Sequence, residues 1–176
     1  MKTLALILVL CPMMAFAQSR PVRTYASTGA SEVGVGLGFT KGAFNIGAQY
    51  EKKNEGLGYG GYFFFQADKE KNNAKVVNQV MSLGGQLKAH VLQNNRVDAY
   101  LAPGFGLHMI KDVADASASS GKSDVTTFGP TMRIGVLLPV SPTMKVGLDR
   151  LEIWNWFDDK APAADAFYSA TMAFEF

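Results

Sequence analysis

The last eleven residues of the chain, Ala166-Phe167-Tyr168-Ser169-Ala170-Thr171-Met172-Ala173-Phe174-Glu175-Phe176, decide its fold. Counted back from the C-terminus, every second residue is apolar or aromatic, whereas the residues between are mostly small or polar. A β-strand directs successive side chains to opposite faces, so one face of this strand is apolar up to its last residue. Aromatic side chains settle at the membrane–water interface, so the pattern is typical of a strand that faces lipid.

Seven earlier segments alternate in the same way, with apolar residues opposite Gly, Ser, Thr, Asn and Gln. An inverted barrel, apolar outside and polar inside, gives both faces a suitable solvent. The predicted strands cover Val33–Phe39, Phe44–Tyr50, Leu57–Ala67, Val76–Leu92, Val97–Met109, Thr127–Leu138 and a segment that begins at Met144.

The connections differ in length according to whether they follow an even-numbered or an odd-numbered strand. Those after strands two, four and six are short and fall at Glu51–Gly56, Gln93–Asn95 and Ser141–Thr143. Those after strands three, five and seven are longer, and the longest is Lys111–Asp124; Thr40–Gly42 is the short exception among the odd connections. Outer-membrane barrels combine short periplasmic turns with longer outer loops. The sequence therefore predicts an all-β fold, an eight-stranded antiparallel up-and-down transmembrane β-barrel over residues 31–176.

The N-terminus has the composition of an export signal. Lys2 precedes the apolar run Leu4–Leu10, and Ala15-Phe16-Ala17 has the small-x-small form of a cleavage site. We predict a signal peptide over residues 1–17 that is cleaved after Ala17, and a flexible lead-in over residues 18–30. The single cysteine, Cys11, lies in the signal, and Leu10 before it disfavours lipidation at that position. The mature chain then has no cysteine for a disulfide or a thiolate site.

The C-terminal strand resembles that of bacterial outer-membrane β-barrels, which end on Phe after alternating apolar residues. In that family the strand is recognised by the machinery that inserts barrels. The resemblance implies that this machinery is a partner during assembly, and that the insertion signal comprises Tyr168, Met172, Phe174 and Phe176.

As a whole the mature chain is similar to the small eight-stranded barrels of the OmpA transmembrane-domain and OmpX type. This similarity implies residence in the cell outer membrane, in contact with outer-membrane lipids and lipopolysaccharide. It also implies a structural or surface-interaction role, with an extracellular surface partner among the expected contacts.

An eight-stranded barrel is just wide enough to be filled by its own side chains. Seven charged or ionisable residues occupy the alternate strand positions that face the barrel interior, and we predict that they form a structural polar network in the lumen. A three-residue turn would place His90 opposite Asp98, and Lys145 could pair with Glu175. The alternative interpretation of the same groups is a path for protons or ions. The predicted network comprises Lys88, His90, Asp98, Arg133, Lys145, Asp149 and Glu175.

Two other functions remain open from the sequence. A narrow channel for small or hydrophobic solutes, as in OmpW-like barrels, needs an open lumen or a gap in the wall. A lipid A-modifying enzyme needs a serine beside a histidine, with a carboxylate to orient it. Ser82 can approach His108 across two strands, but no acid is placed with them, so we predict no catalytic residues. No motif indicates a cofactor or a metal, and the net charge of +2 is spread along the chain, which disfavours nucleic acid as a partner.

Overall fold

The computed structural model describes residues 29–40, 43–54, 56–67, 79–114, 119, 122–157 and 164–176. Its strands close into one barrel in which each strand pairs antiparallel with its sequence neighbours and β1 pairs with β8. The predicted eight-stranded antiparallel barrel is thereby confirmed. The strands are β1 Ser31–Thr40, β2 Ala43–Asn54, β3 Leu57–Gln66, β4 Val80–Gln93, β5 Asp98–Ala114, β6 Lys122–Ser141, β7 Met144–Trp154 and β8 Ala164–Glu175.

The wall has the inverted polarity that the alternation predicts. Leu148, Leu83 and Leu37 face outward and are 69, 58 and 50% exposed. Polar residues such as Asn45, Gln66 and Ser82 face inward and are fully buried. A soluble barrel would bury the leucines and expose the amides, so the apolar exterior needs hydrocarbon around it.

The two ends of the barrel differ, and we name them by their connections. The turn end carries the tight connections β2–β3, β4–β5 and β6–β7, together with Gly29 and the C-terminus. In the first of these turns Gly56 adopts a φ of +84°, a left-handed conformation that glycine adopts without a steric penalty. The opposite end is the loop end, where β5 and β6 extend farthest.

Several strands are longer than the alternation predicts. β2 continues to Asn54, although the sequence suggests a turn from Glu51. β5 reaches Ala114 and β6 begins at Lys122, so both ends of the predicted 111–124 loop belong to a two-stranded ribbon. Charged and Ser-rich residues do not alternate in hydropathy, which is why these strand ends were assigned to connections.

Some predicted segments lie outside the described residues. These include the signal peptide over 1–17, the lead-in as far as residue 28, residues 41–42, 115–118 and 120–121 of predicted connections, and residues 68–78, which contain the predicted start of strand four at Val76. Gly29 and Ala30, at the end of the predicted flexible lead-in, hydrogen-bond to the backbone of Lys53 at 3.1 and 2.9 Å. No helix within the described residues is long and apolar enough to span a membrane.

Substitution of Leu83 by Arg tests the polarity of the wall. Leu83 lies on the outward face of β4 between Phe63 and Leu107, so the arginine would face hydrocarbon. We expect Leu83→Arg to lower the free energy of unfolding in lipid vesicles by about 2–4 kcal/mol, as charges on the lipid face of barrels do. The measurement is urea unfolding followed by tryptophan fluorescence. Leu83→Gln is the neutral control, and equal loss in both variants would contradict a lipid-facing position.

Candidate functional site: the barrel lumen

At the turn end of the lumen, one carboxylate binds three lysines. Glu32 on β1 accepts hydrogen bonds from the Nζ atoms of Lys53 at 2.8 Å, Lys88 at 2.9 Å and Lys145 at 2.8 Å. Glu32, Lys53 and Lys88 are 2, 2 and 1% exposed, so these charges are screened by one another rather than by solvent. Each lysine comes from a different strand, β2, β4 or β7, and Glu32 therefore ties opposite parts of the wall together.

The same charges continue into a closed ring. Lys88 also contacts Glu51 at 2.8 Å, and His90 Nε2 lies 2.8 Å from Glu51. His90 Nδ1 lies 2.6 Å from Asp98, whose other oxygen is 2.7 Å from Lys145. Lys145 returns to Glu32, so positive and negative groups alternate around the ring. Lys53 and Glu175, which form an ion pair, are attached to it at the turn end.

His90 completes the charge balance of this network. Both of its ring nitrogens face carboxylate oxygens, which accept hydrogen bonds and do not donate them. The doubly protonated imidazolium satisfies both contacts. The four carboxylates are then matched by three ammoniums and one imidazolium, so the eight groups together carry no net charge.

A second polar layer lies above the ring and centres on Asp149. Its carboxylate accepts hydrogen bonds from Thr171 Oγ1 at 2.8 Å and from the Tyr100 hydroxyl at 3.3 Å. Arg133 lies 3.8 Å from the same carboxylate. The Lys88 ammonium lies 4.2 Å from the centre of the Tyr100 ring, and this cation–π contact joins the layer to the ring below.

Farther toward the loop end, Ser82 and His108 form a buried hydrogen-bonded pair. Ser82 Oγ lies 2.8 Å from His108 Nδ1 and 3.0 Å from the Tyr62 hydroxyl. His108 Nε2 lies 3.3 Å from the carbonyl oxygen of Gly129, so Nε2 carries the proton and Nδ1 accepts from the serine. Ser82 and His108 are both fully buried.

Apolar side chains fill the loop end of the lumen. The rings of Phe64 and Phe167 pack with their centroids 4.5 Å apart. The two rings belong to one buried apolar cluster. Its other members are Tyr62, Val80, Ile110, Val113, Val125, Leu151 and Ile153.

The structure places all seven residues of the predicted polar network on the inner face. Five of them belong to the ion ring and its Glu175 branch, whereas Arg133 and Asp149 form the layer above. The β4–β5 connection covers residues 94–97, with Gln93 opposite Asp98, and an irregularity between His90 and Leu92 shifts the register by one residue, so that Tyr100 lies opposite His90. The predicted direct pairing was wrong in register, and the His90–Asp98 contact is a diagonal one.

Sequence reasoning missed three members of the ion network: Glu32 and Glu51 in the ring, and Lys53 attached to it. The two-residue period of the strands identifies them. Glu32 lies two residues before the inward-facing Gly34 on β1. Glu51 and Lys53 lie two and four residues after the inward-facing Gln49 on β2. No group of three or more His, Cys, Asp or Glu side chains in the described part of the chain is arranged to hold a metal ion.

The four residues of the predicted insertion signal lie on the outer face of β8. Tyr168, Met172, Phe174 and Phe176 are 55, 42, 43 and 74% exposed. They form an apolar row along the strand that closes the barrel against β1.

Comparisons with known proteins agree with this architecture. The sequence profile of the family described as outer membrane protein beta-barrel domain matches residues 3–171. The chain belongs to this family. Its localisation is accordingly the outer membrane, and the barrel is a transmembrane one. A comparison with curated protein sequences finds no match.

Solved structures with the same fold share little sequence with this chain. Neisserial surface protein A is 14% identical, with 84% of this chain and 95% of that chain covered and a TM-score of 0.59. The N-terminal barrel of Pseudomonas aeruginosa OprF is 8% identical over 86 and 100% of the two chains, with a TM-score of 0.62. Ail, the attachment invasion locus protein of Yersinia pestis, is 12% identical over 85 and 100%, with a TM-score of 0.55. The outer membrane enzyme PagL shares the fold as well, at 10% identity and a TM-score of 0.50.

Neutralising Glu32 tests its central place in the network. We expect Glu32→Gln to lower the free energy of unfolding by about 3–5 kcal/mol, because three buried ammoniums lose their shared counter-charge. Urea unfolding in lipid vesicles measures this loss. The matched control is Glu175→Gln, at the 17%-exposed edge of the network, where a smaller loss is expected. Equal losses of unfolding free energy in the two variants would show that Glu32 contributes no more to the stability of the network than Glu175 does.

Proposed function

We propose that this protein is an integral outer-membrane barrel with a structural or surface-interaction role and a lumen closed by its own side chains. The observation that carries the proposal is the layered filling of the lumen. An ion crossing it would have to displace a ring of paired charges and then pass through an apolar cluster. Both steps oppose conduction, because breaking buried ion pairs and placing a bare charge among apolar groups are each unfavourable.

The loop end supplies the surface for an external role. β6 spans 20 residues and β5 spans 17, whereas a tilted crossing needs about 9–11. The β5–β6 ribbon therefore projects beyond the hydrocarbon region at the loop end. Among the proteins with this fold, Neisserial surface protein A is a surface protein by name, and Ail is named an attachment invasion locus protein. A projecting ribbon offers unpaired strand positions and loops to an extracellular partner.

A lipid-modifying enzyme is the second candidate, favoured by the Ser82–His108 hydrogen bond and by the shared fold of PagL. Acyl transfer by serine needs a substrate carbonyl about 3 Å from the hydroxyl and a group that stabilises the histidine cation. Here the serine is enclosed below the apolar cluster, and the histidine is oriented by a backbone carbonyl instead of a carboxylate. We therefore propose a structural role for this pair.

The filled lumen predicts low conductance. The purified barrel, reconstituted in a planar bilayer, should show no steady current of porin size. Phe64→Ala combined with Phe167→Ala removes the ring contact of the apolar cluster and should raise the frequency of small openings. A steady open-channel current in the unmodified protein would contradict the proposal and favour the channel for small solutes.

The parity of the connections predicts that the loop end faces the cell exterior. An epitope inserted at Ser119 should bind antibody on intact cells. The same epitope inserted at Asn95, in the β4–β5 turn, is the control and should bind only after the outer membrane is permeabilised. The reverse pattern would contradict the assigned orientation.

The enzyme alternative has its own measurement. Cells that express the protein should contain lipid A of unchanged mass, and the Ser82→Ala variant should match them. Loss or gain of an acyl chain that depends on Ser82 would overturn the non-enzymatic proposal.

A further inference from the structure

A groove of about 500 Å³ opens on the outer surface of the wall near the loop end. It lies where β8 meets β7 on one side and β1 on the other. The backbone ladder between β1 and β8 ends at Leu37 and Ala170. Beyond that point the Thr40 hydroxyl accepts a hydrogen bond from the Tyr168 backbone N–H at 3.0 Å. The strands separate there, and the groove occupies the gap on their membrane side.

The groove contains a charged pair on a wall that is otherwise apolar around it. Arg150 and Glu152 have outward parity on β7, and their side chains are 43 and 27% exposed. They form an ion pair with each other. Their cross-strand neighbours are Ile134 and Met132 on β6 and Tyr168 and Ala166 on β8. The charges therefore border hydrocarbon and not the polar lumen.

The side chain of Arg150 points toward the membrane surface. Its partner Glu152 lies two residues nearer the loop end, and Trp154 lies two residues beyond that. The Arg150 guanidinium also stands 5.7 Å from the centre of the Tyr168 ring. Tryptophan and tyrosine mark the interfacial zone of a membrane, and long basic side chains extend into that zone. The groove thus reaches from the apolar wall to the level of the lipid headgroups.

The guanidinium has more donors than the protein satisfies. Of its five N–H groups, the Arg150–Glu152 pair uses the NH2 side, and Nε is enclosed by protein without a hydrogen-bond partner within the described residues. The side chain as a whole is 43% exposed, so a lipid contact would be made by its terminal N–H groups and not by Nε. Asp165 is a second carboxylate in the groove lining, and its Oδ1 accepts a hydrogen bond from the Ala166 backbone N–H at 3.0 Å. Unsatisfied donors beside hydrocarbon are unfavourable, and the acceptors available at this depth are the phosphate and ester oxygens of lipids.

We infer that this groove binds one phosphorylated lipid of the outer leaflet, with Arg150 contacting the lipid phosphate and the apolar floor holding an acyl chain. Glu152 keeps the arginine in place when the groove is empty and competes with the phosphate for it. The site is on the opposite side of the wall from the lumen, so it does not depend on whether the lumen conducts. It does require the loop end to face outward, which the epitope experiment tests separately.

Native mass spectrometry of the full barrel in detergent tests the site, with lipid A as the probe. The unmodified protein should retain one lipid A molecule, and enzymatically dephosphorylated lipid A should bind about tenfold more weakly, the value of one charge-assisted hydrogen bond. Arg150→Gln should weaken binding of lipid A by a similar factor and leave binding of the dephosphorylated lipid unchanged. Lys52→Gln is the matched control, because Lys52 is an outward-parity cation at the turn end and should have no effect.

Substitution of Glu152 separates lipid binding from a simple surface ion pair. Glu152→Gln should bind lipid A as tightly as the unmodified protein or more tightly, because the competing carboxylate is gone. A loss as large as that of Arg150→Gln would contradict the site, as would equal binding of the phosphorylated and dephosphorylated lipids. The shift in gel mobility on heating checks that each variant is folded. If Arg150→Gln does not fold, the comparison of lipid A with dephosphorylated lipid A on the unmodified protein still tests whether the barrel recognises the lipid phosphate.

Discussion

The carboxylate of Glu32 is the group on which the arrangement of the lumen depends. Its three lysine partners come from strands that are not neighbours of one another in the barrel, so one side chain connects β1 to β2, β4 and β7 through the interior. Backbone ladders hold each strand only to the next one. A buried ion network of this kind adds little net stability, because desolvation offsets the attraction, but it penalises any arrangement that leaves a charge unpaired. It therefore favours one packing of the lumen over its alternatives.

The layers of the lumen follow from this constraint. The ring of paired charges lies at the turn end, the Arg133–Asp149 layer follows it, and the hydrogen-bonded Ser82–His108 pair lies farther toward the loop end. The loop end combines the apolar cluster around Phe64 and Phe167 with buried uncharged polar groups, among them Asn45 and Gln66. Glycines on the inward face make room for the large groups: a Cβ at Gly106, for example, would collide with the Tyr62 hydroxyl. The filled interior is thus a packed core that happens to be polar at one end.

The fold could be predicted from the sequence because the two faces of each strand meet different solvents. Period-two alternation in the C-terminal strand and in β3 gives the correct inward and outward residues, including Phe64 and Tyr62. The prediction fails where that contrast disappears. Glu51, Lys52 and Lys53 are all charged, so hydropathy does not show that β2 continues past Tyr50; only the extension of the two-residue period from Gln49 places Glu51 and Lys53 in the lumen and Lys52 outside. The β4–β5 turn is a second limit, since the strand ends there are polar and hydropathy does not show that the connection covers residues 94–97.

The low identity to other barrels indicates where individual function lies. Proteins that share 8–14% of their residues with this chain form the same barrel, so the fold requires alternating apolar and polar residues but few specific residues. Positions that obey the alternation carry little information about function, and departures from it carry more. Arg150 and Glu152 break the apolar outer face, and the β5–β6 ribbon extends well beyond the length that a crossing requires. Because neither feature is needed to close or to fill the barrel, these are the parts of the chain in which contacts with lipids and with partners outside the cell are expected.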